Sequence, residues 1–256
     1  MKEFLRELAE ECREEFESMS DSGAHRKDIG KDAETLTEVD QKMTEVIISK
    51  FEERPETFSF QSEELNKKAQ SESKDTDYTV IFDEIDGTGN MKNDRGPFGA
   101  IVGIAKGTNP CFNDMVSSIF YDLKNDTLYE AYRNSGAYRD SEKMEVNQEV
   151  PNRKAAVRGL ADQAMLGKKP EIAEVLWQYH CKDYGSMGYN MALVASDRAD
   201  FLVSGGHGFV KDKKTAEEIA PLYLLVKEAK GTIVDWNGNE IGEEEIGLAE
   251  GKSHDV

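Results

Sequence analysis

The run Tyr78–Asn90, YTVIFDEIDGTGN, limits what this chain can fold into more than any other stretch. Tyr78–Phe82 has the length and β-branching of a buried strand. Asp83, Glu84 and Asp86 then fall within four positions, and Gly87, Thr88 and Gly89 follow at once. Crowded carboxylates repel one another, and burying them unpaired is costly. The strand must therefore run out at a rim of the fold, where a glycine-rich turn presents the carboxylates to water or to cations. Two readings are open at this point: a hard-cation site, or an Asx-type turn whose charges are solvated.

The rest of the chain is compatible with a rim of that kind. Its 256 residues suit one large domain or two small ones, with room for a core. The composition is 38% hydrophobic and 32% charged, and it contains no run of 18 apolar residues, so no transmembrane helix is expected. The N-terminus, MKEFLRELAEECREEFES, lacks the basic start and apolar stretch of a signal peptide. It reads as an amphipathic helix with Phe4, Leu5, Leu8, Cys12 and Phe16 on one side, in a protein that stays in the cytoplasm. Cys12, Cys111 and Cys181 are far apart and form no Cys-x-x-Cys pair, so they read as packing residues. A net charge of −19 disfavours nucleic acid or an anionic membrane as partner. An anionic substrate would need metal cations in the site to offset that charge.

Apolar periodicity orders the chain coarsely. Val39, Met43, Val46, Ile47 and Phe51 recur at helical spacing, and Asp40 reads as a charge or cap at the start of that helix. Strands are expected at 57–63, 78–82, 99–105, 116–123 and 127–133. The second half offers helices near 170–179, 187–197 and 216–229, and strands near 153–158, 200–204 and 232–236. This is an α/β chain in two parts: residues 1–140 carry the acidic turn, and residues 141–256 form a second α/β layer with substrate-side helices.

Several parts of the chain bear on the acidic turn. Asp83 and Asp86, three positions apart on a turn, can point into one space with the Ile85 carbonyl between them. The N–H groups of Gly87 and Thr88 can face a phosphate. Glu63 and Glu64 end a short strand, and Glu217 and Glu218 begin a helix, so all three segments can converge on one cation site. Thr215-Ala-Glu-Glu218 also matches a capping box, in which Glu218 closes the helix end instead. The spacing Asp-x-x-Asp-Gly excludes an EF-hand loop and the Asp-x-Asp of haloacid dehalogenase phosphatases. No Walker loop and no Gly-x-Ser-x-Gly elbow occurs. His207 in a glycine loop reads as incidental, and Lys211, Lys213 and Lys214 read as a solvated basic loop or as partners of a second phosphate. Ser186 reads as the cap of a helix.

Taken together, these segments resemble the inositol monophosphatase family over roughly residues 1–240. The resemblance rests on Ser62-Glu63-Glu64, on Asp83-Glu84-Ile85-Asp86-Gly87-Thr88-Gly89-Asn90, on Gly185-Ser186-Met187-Gly188, and on Glu217-Glu218 leading into EEIAPLYLLVKEAKG. It implies a layered α-β-α-β-α sandwich and Mg²⁺-dependent hydrolysis of a small phosphorylated polyol or sugar. Inositol monophosphate and fructose 1,6-bisphosphate are the leading substrates, with a nucleotide bisphosphate as the rival. Metal ligands would be Glu63, Asp83, the Ile85 carbonyl, Asp86 and Glu218. Glu63, Thr88 and Asp83 would form the catalytic set, with Thr88 and Glu63 positioning the attacking water. Asp86, Gly87, Thr88, Gly185 and Ser186 would border phosphate and substrate. The family also suggests a homodimer, and it places Asp40 near the metal entrance.

The departures from the family pattern are Ser62 for glycine, Glu84 for proline, Glu217-Glu218 for Trp-Asp, and Lys230-Gly231 for Gly-Gly. Where inositol-specific members place a substrate-binding glutamate, this chain has Ser204. Glu84 is expected to add negative charge beside the metals. Together with Glu218 in place of the family's aspartate, it also supports a non-catalytic member, which would bind metal or a phosphometabolite without turnover.

Overall fold

The computed structural model describes residues 1–21, 33–62, 65, 75–149, 157–161, 170–179, 181–204 and 216–246. Helices α1 (Lys2–Asp21) and α2 (Ala33–Glu52) open the chain and pack on each other. Each buries one stripe: Leu5, Leu8, Cys12 and Phe16 on α1, and Val39, Met43, Ile47 and Phe51 on α2. They cover one face of a seven-stranded sheet whose spatial order follows the chain: β1 (Phe58–Gln61), β2 (Tyr78–Asp86), β3 (Gly99–Lys106), β4 (Met115–Asp122), β5 (Thr127–Tyr132), β6 (Gly136–Arg139) and β7 (Glu142–Met144). β1 and β2 pair in parallel, which requires the long connection between them; every later pair is antiparallel.

Strand alternation sorts the side chains onto two faces. Val80, Phe82, Val102, Ile104, Ile119 and Tyr121 meet α1 and α2. Ile81, Ile101, Phe120, Tyr129 and Ala131 meet α5 (Met187–Ala195) and α6 (Ala216–Glu228) on the other face. Beyond α5 lies a small parallel pair, β8 (Gly159–Ala161) with β9 (Phe201–Val203), where Leu160 and Leu202 pack against Leu193. Its far side is covered by α4 (Pro170–Trp177) through Leu176, which packs near Ala161, Phe201 and Val203. The order is therefore α-β-α-β-α, the expected sandwich of the α+β class. A short helix, α3 (Thr88–Lys92), follows β2 directly.

Four local expectations change. β2 does not end at Phe82; it carries the acidic residues as strand, up to Asp86. Asp40 is not at a helix start, because α2 begins at Ala33 and Asp40 lies two turns inside it. The segment 232–236 is not a strand: it makes one isolated bridge, Val234 to Glu240, around a turn in which the Asp235 carboxylate accepts from Asn237 and Asn239 N–H. Such Asp/Asn/Gly chemistry favours a turn over a ladder. Of the strand expected near 153–158, residues 153–156 lie outside the described residues, and β8 begins at Gly159.

One buried carboxylate ties the first layer to the sheet. Glu130 on β5 is fully buried and accepts from Arg6 Nε at 2.9 Å and from the Tyr132 hydroxyl at 2.9 Å, with Lys2 Nζ 3.6 Å away. Burial opposes its charge, but Arg6, Tyr132 and Lys2 outweigh burial and hold the carboxyl below its ordinary range. Stability from this group is complete above the unfolded glutamate pKa and is lost as pH falls through the depressed native value. Arg6→Ala is expected to cost about 2 kcal/mol at pH 7. The cost should shrink below about pH 4, where the orphaned carboxyl is protonated; urea unfolding at both pH values measures it.

Candidate functional site

The site begins with an irregularity in β2. Asp83 pairs with Ile101 and Asp86 with Gly99, so three steps along β2 match two along β3. In a regular strand, residues three apart point to opposite faces. The extra residue of this bulge turns Ile85 toward α1 and α2, the face Glu84 already shares with Val80 and Phe82, and returns Asp86 to the face that Asp83 occupies. Ile85 is buried in the core of that layer, and Glu84 is 2% exposed with its Oε1 2.6 Å from Thr44 Oγ1 on α2. Glu84 is therefore not beside the proposed metals; this corrects the sequence-based expectation. Burial, with a smaller push from Asp40, raises its carboxyl to about 7 against the hydrogen bonds from Thr44 and Ser62.

On the site face, one oxygen each from Asp83, Asp86 and Glu218 lie within 4.8 Å of one another. Glu218 arrives in the first turn of α6. Asp86, 4% exposed, is gripped by the start of α5: Oδ1 accepts from Met187 N–H at 2.9 Å, Oδ2 accepts from Gly188 N–H at 2.8 Å, and the Ser186 hydroxyl also donates to Oδ2. Ser186 caps α5 as expected, its Oγ accepting from Tyr189 N–H at 3.1 Å. The helix's positive end thus offsets part of the repulsion among the carboxylates. Asp83 Oδ1 accepts from Ile85 N–H at 3.1 Å, so the Asx-type turn is present as well. The Thr88 hydroxyl donates to the Ile85 carbonyl at 3.0 Å.

These groups share a cavity of about 420 Å³, bordered by Asp83, Ile85, Asp86, Gly87, Thr88, Gly185, Ser186 and Glu218. Close packing around Asp86 depends on two glycines. Gly87 has φ 82°, and a Cβ there would sit 2.9 Å from the Pro97 carbonyl oxygen and 3.1 Å from Ser186 Cβ. At Gly188 a Cβ would sit 2.5 Å from the Phe120 ring and 3.0 Å from Asp86 Oδ2.

Sequence reasoning missed Asp183 and Asn190, which also border the cavity. Asp183 Oδ1 accepts from Gly185 N–H at 2.9 Å and from Asn190 Nδ2 at 3.1 Å, while Asn90 Nδ2 donates to the Tyr184 carbonyl at 2.6 Å. Together they hold the 183–186 loop against the turn. The Asp-x-Gly-Ser spacing ahead of a helix was the available signal. Glu63, Glu64, His207, Lys211, Lys213, Lys214 and the Thr215 end of the capping box lie outside the described residues. The donors at the cluster are all hard carboxylate oxygens, with no histidine or cysteine among the described members. That set fits Mg²⁺ better than a soft transition metal.

A sequence model of the inositol monophosphatase family matches residues 1–255. A fructose-1,6-bisphosphatase/inositol-1-monophosphatase of Methanocaldococcus jannaschii is 28% identical over 167 residues, 65% of this chain and 60% of that protein. The match therefore spans about three fifths of the archaeal relative's length. Inositol monophosphatase 1 of Homo sapiens is 26% identical over 215 residues, 79% of this chain and 72% of that protein. Among solved structures, inositol monophosphatase-II of Staphylococcus aureus superposes with a TM-score of 0.73 at 17% identity, covering 95% of this chain and 87% of that one; it shares the fold.

Gly87→Ala tests the packing that joins β2 to α5. Left-handed backbone and the Pro97 contact together are expected to cost about 2–3 kcal/mol, read as a fall in Tm by calorimetry. Gly89→Ala, with open space around it, should cost under about 1 kcal/mol.

Proposed function

The chain belongs to the inositol monophosphatase family, and from that premise we propose that it is a metal-dependent phosphomonoesterase acting on a small phosphorylated sugar or polyol. The observation that carries the proposal is the meeting of Asp83, Asp86 and Glu218 at one cavity. Inositol monophosphate and fructose 1,6-bisphosphate are the proposed substrates. We place the metal-binding half at residues 1–140 and the substrate side at 141–256, in a cytoplasmic homodimer. Among the described residues, no helix is long and apolar enough to cross a membrane.

Asp83, Asp86 and Glu218 would hold Mg²⁺, with Glu63 beside Ser62 as the further carboxylate. The ion when bound supplies positive charge against the charge developing on the leaving oxygen, and a more acidic water. The chain's own groups position the rest. Thr88 Oγ, anchored on the Ile85 carbonyl at the edge of the cavity, would orient the attacking water, with Glu63 as its proposed partner. The backbone N–H groups of Gly87 and Thr88, and the Gly185–Ser186 edge, would orient phosphate and the leaving group. Asp86 is fixed by the α5 amides, so it needs no reorganisation to face a cation. The non-catalytic alternative rests on Glu84 and Glu218; Glu84 faces α2 instead, which leaves Glu218 as its support.

The test is phosphate release with Mg²⁺ and with chelator, on inositol 1-phosphate, fructose 1,6-bisphosphate and adenosine 3′,5′-bisphosphate. Metal-dependent turnover on one of the first two is expected; turnover unaffected by chelator would refute the proposal. Asp86→Asn should lower turnover at least about a hundredfold. Its far-UV spectrum should be unchanged, because the Asn carbonyl can keep the Gly188 N–H and Ser186 contacts and only the Met187 N–H loses its acceptor.

A further inference from the structure

We propose that Glu84 is a positioning residue that ties the β2 bulge to α2, and so sets the geometry of the carboxylate cluster from the opposite face of the sheet. The inference rests on that cluster being the metal site proposed above. Two departures from the family pattern, Ser62 and Glu84, are both buried here, and the Ser62 hydroxyl favours the ionised form of the Glu84 carboxyl. Glu84 Oε1 lies 2.6 Å from Thr44 Oγ1, whose single hydrogen is shared with the Asp40 carbonyl at 2.9 Å. One buried carboxyl therefore joins α2 to the bulge.

The bulge needs such a clamp. Between Asp83 and Asp86 the ladder with β3 is interrupted, so Glu84 and Ile85 lack the register that fixes the rest of β2. Ile85 is held by packing and by two bonds local to the turn, its N–H to Asp83 Oδ1 and its carbonyl to the Thr88 hydroxyl, both within residues 83–88. If the bulge relaxed to a regular register, Asp86 would rotate to the other face, away from Glu218. Asp40 on α2 also faces Glu84 and offers repulsion rather than support. The Thr44 hydroxyl is the contact from α2 that makes the buried carboxyl tenable.

The experiment compares wild type, Glu84→Ala, Glu84→Gln and Thr44→Val by amide hydrogen exchange without metal, and by calorimetric titration with Mg²⁺ alone. Glu84→Ala and Thr44→Val should speed exchange at residues 85–88 about tenfold, leaving β4 and β5 unchanged. Their Mg²⁺ affinity should fall about tenfold. Glu84→Gln keeps the Oε1 acceptor that faces Thr44 and should behave nearly as wild type in both measurements. Turnover, where measured, should show a raised Mg²⁺ requirement with kcat at saturating metal within about threefold of wild type. Unchanged exchange at 85–88 in Glu84→Ala and Thr44→Val overturns the proposal, as does loss spread evenly over the fold. If wild type takes up no Mg²⁺, the phosphatase reading fails, and the exchange measurement still decides whether Glu84 holds the bulge.

Discussion

One inserted residue in β2 decides where the carboxylates of this protein point. Asp83 and Asp86 are three apart, an odd spacing that a regular strand places on opposite faces. The bulge against β3 brings both to the face of α5 and α6 and sends Ile85 to the face of α1 and α2, where Glu84 already lies by alternation with Phe82. The remainder of the site follows from that split. Two carboxylates on one face attract the start of α5 and, with Glu218, create a pocket of negative charge. The intervening glutamate instead becomes part of the framework behind it.

The charge on that face is stabilised in two ways of different strength. The α5 amides and the Ser186 hydroxyl donate three hydrogen bonds to Asp86, and bonds to a charged group are worth about 1.5–3 kcal/mol each. The helix dipole adds about 0.3–1 kcal/mol more. These bonds satisfy Asp86 but leave Asp83 and Glu218 close enough to repel. A divalent cation is the natural counter-charge for what remains. The net charge of −19 makes such a counter-charge more necessary for any phosphorylated ligand.

Much of this was legible in the sequence. The stripes on α1 and α2, the β-branched strands and the Ser186 cap follow from local periodicity and capping chemistry, and the order of acidic segments pointed to the Asp83, Asp86 and Glu218 convergence. What was not legible depended on tertiary pairing. The extension of β2 through DEID contradicts strand propensity and is imposed by β3 on one edge. The sides to which Ile85 and Asp86 point are set by a bulge, which leaves no mark in periodicity. Asp40 was misplaced because the helix starts six residues before the first residue of its apolar pattern, Val39. Asp183 and Asn190 act through a loop folded back on Asn90, a contact between residues far apart in sequence.

Asp86 is asked to serve two partners, and its lone pairs decide how. A carboxylate offers about four acceptor positions. Three are taken by Met187 N–H, Gly188 N–H and the Ser186 hydroxyl. A cation that displaced them would uncap α5 and loosen the Gly185–Ser186 edge of the cavity. A cation that leaves them in place keeps both. In the proposed site Asp86 would thus contribute a single oxygen contact, while Asp83 and the longer Glu218 would supply the rest. The extra methylene of Glu218 over an aspartate would give reach toward an ion that Asp86, pinned by the helix, cannot follow.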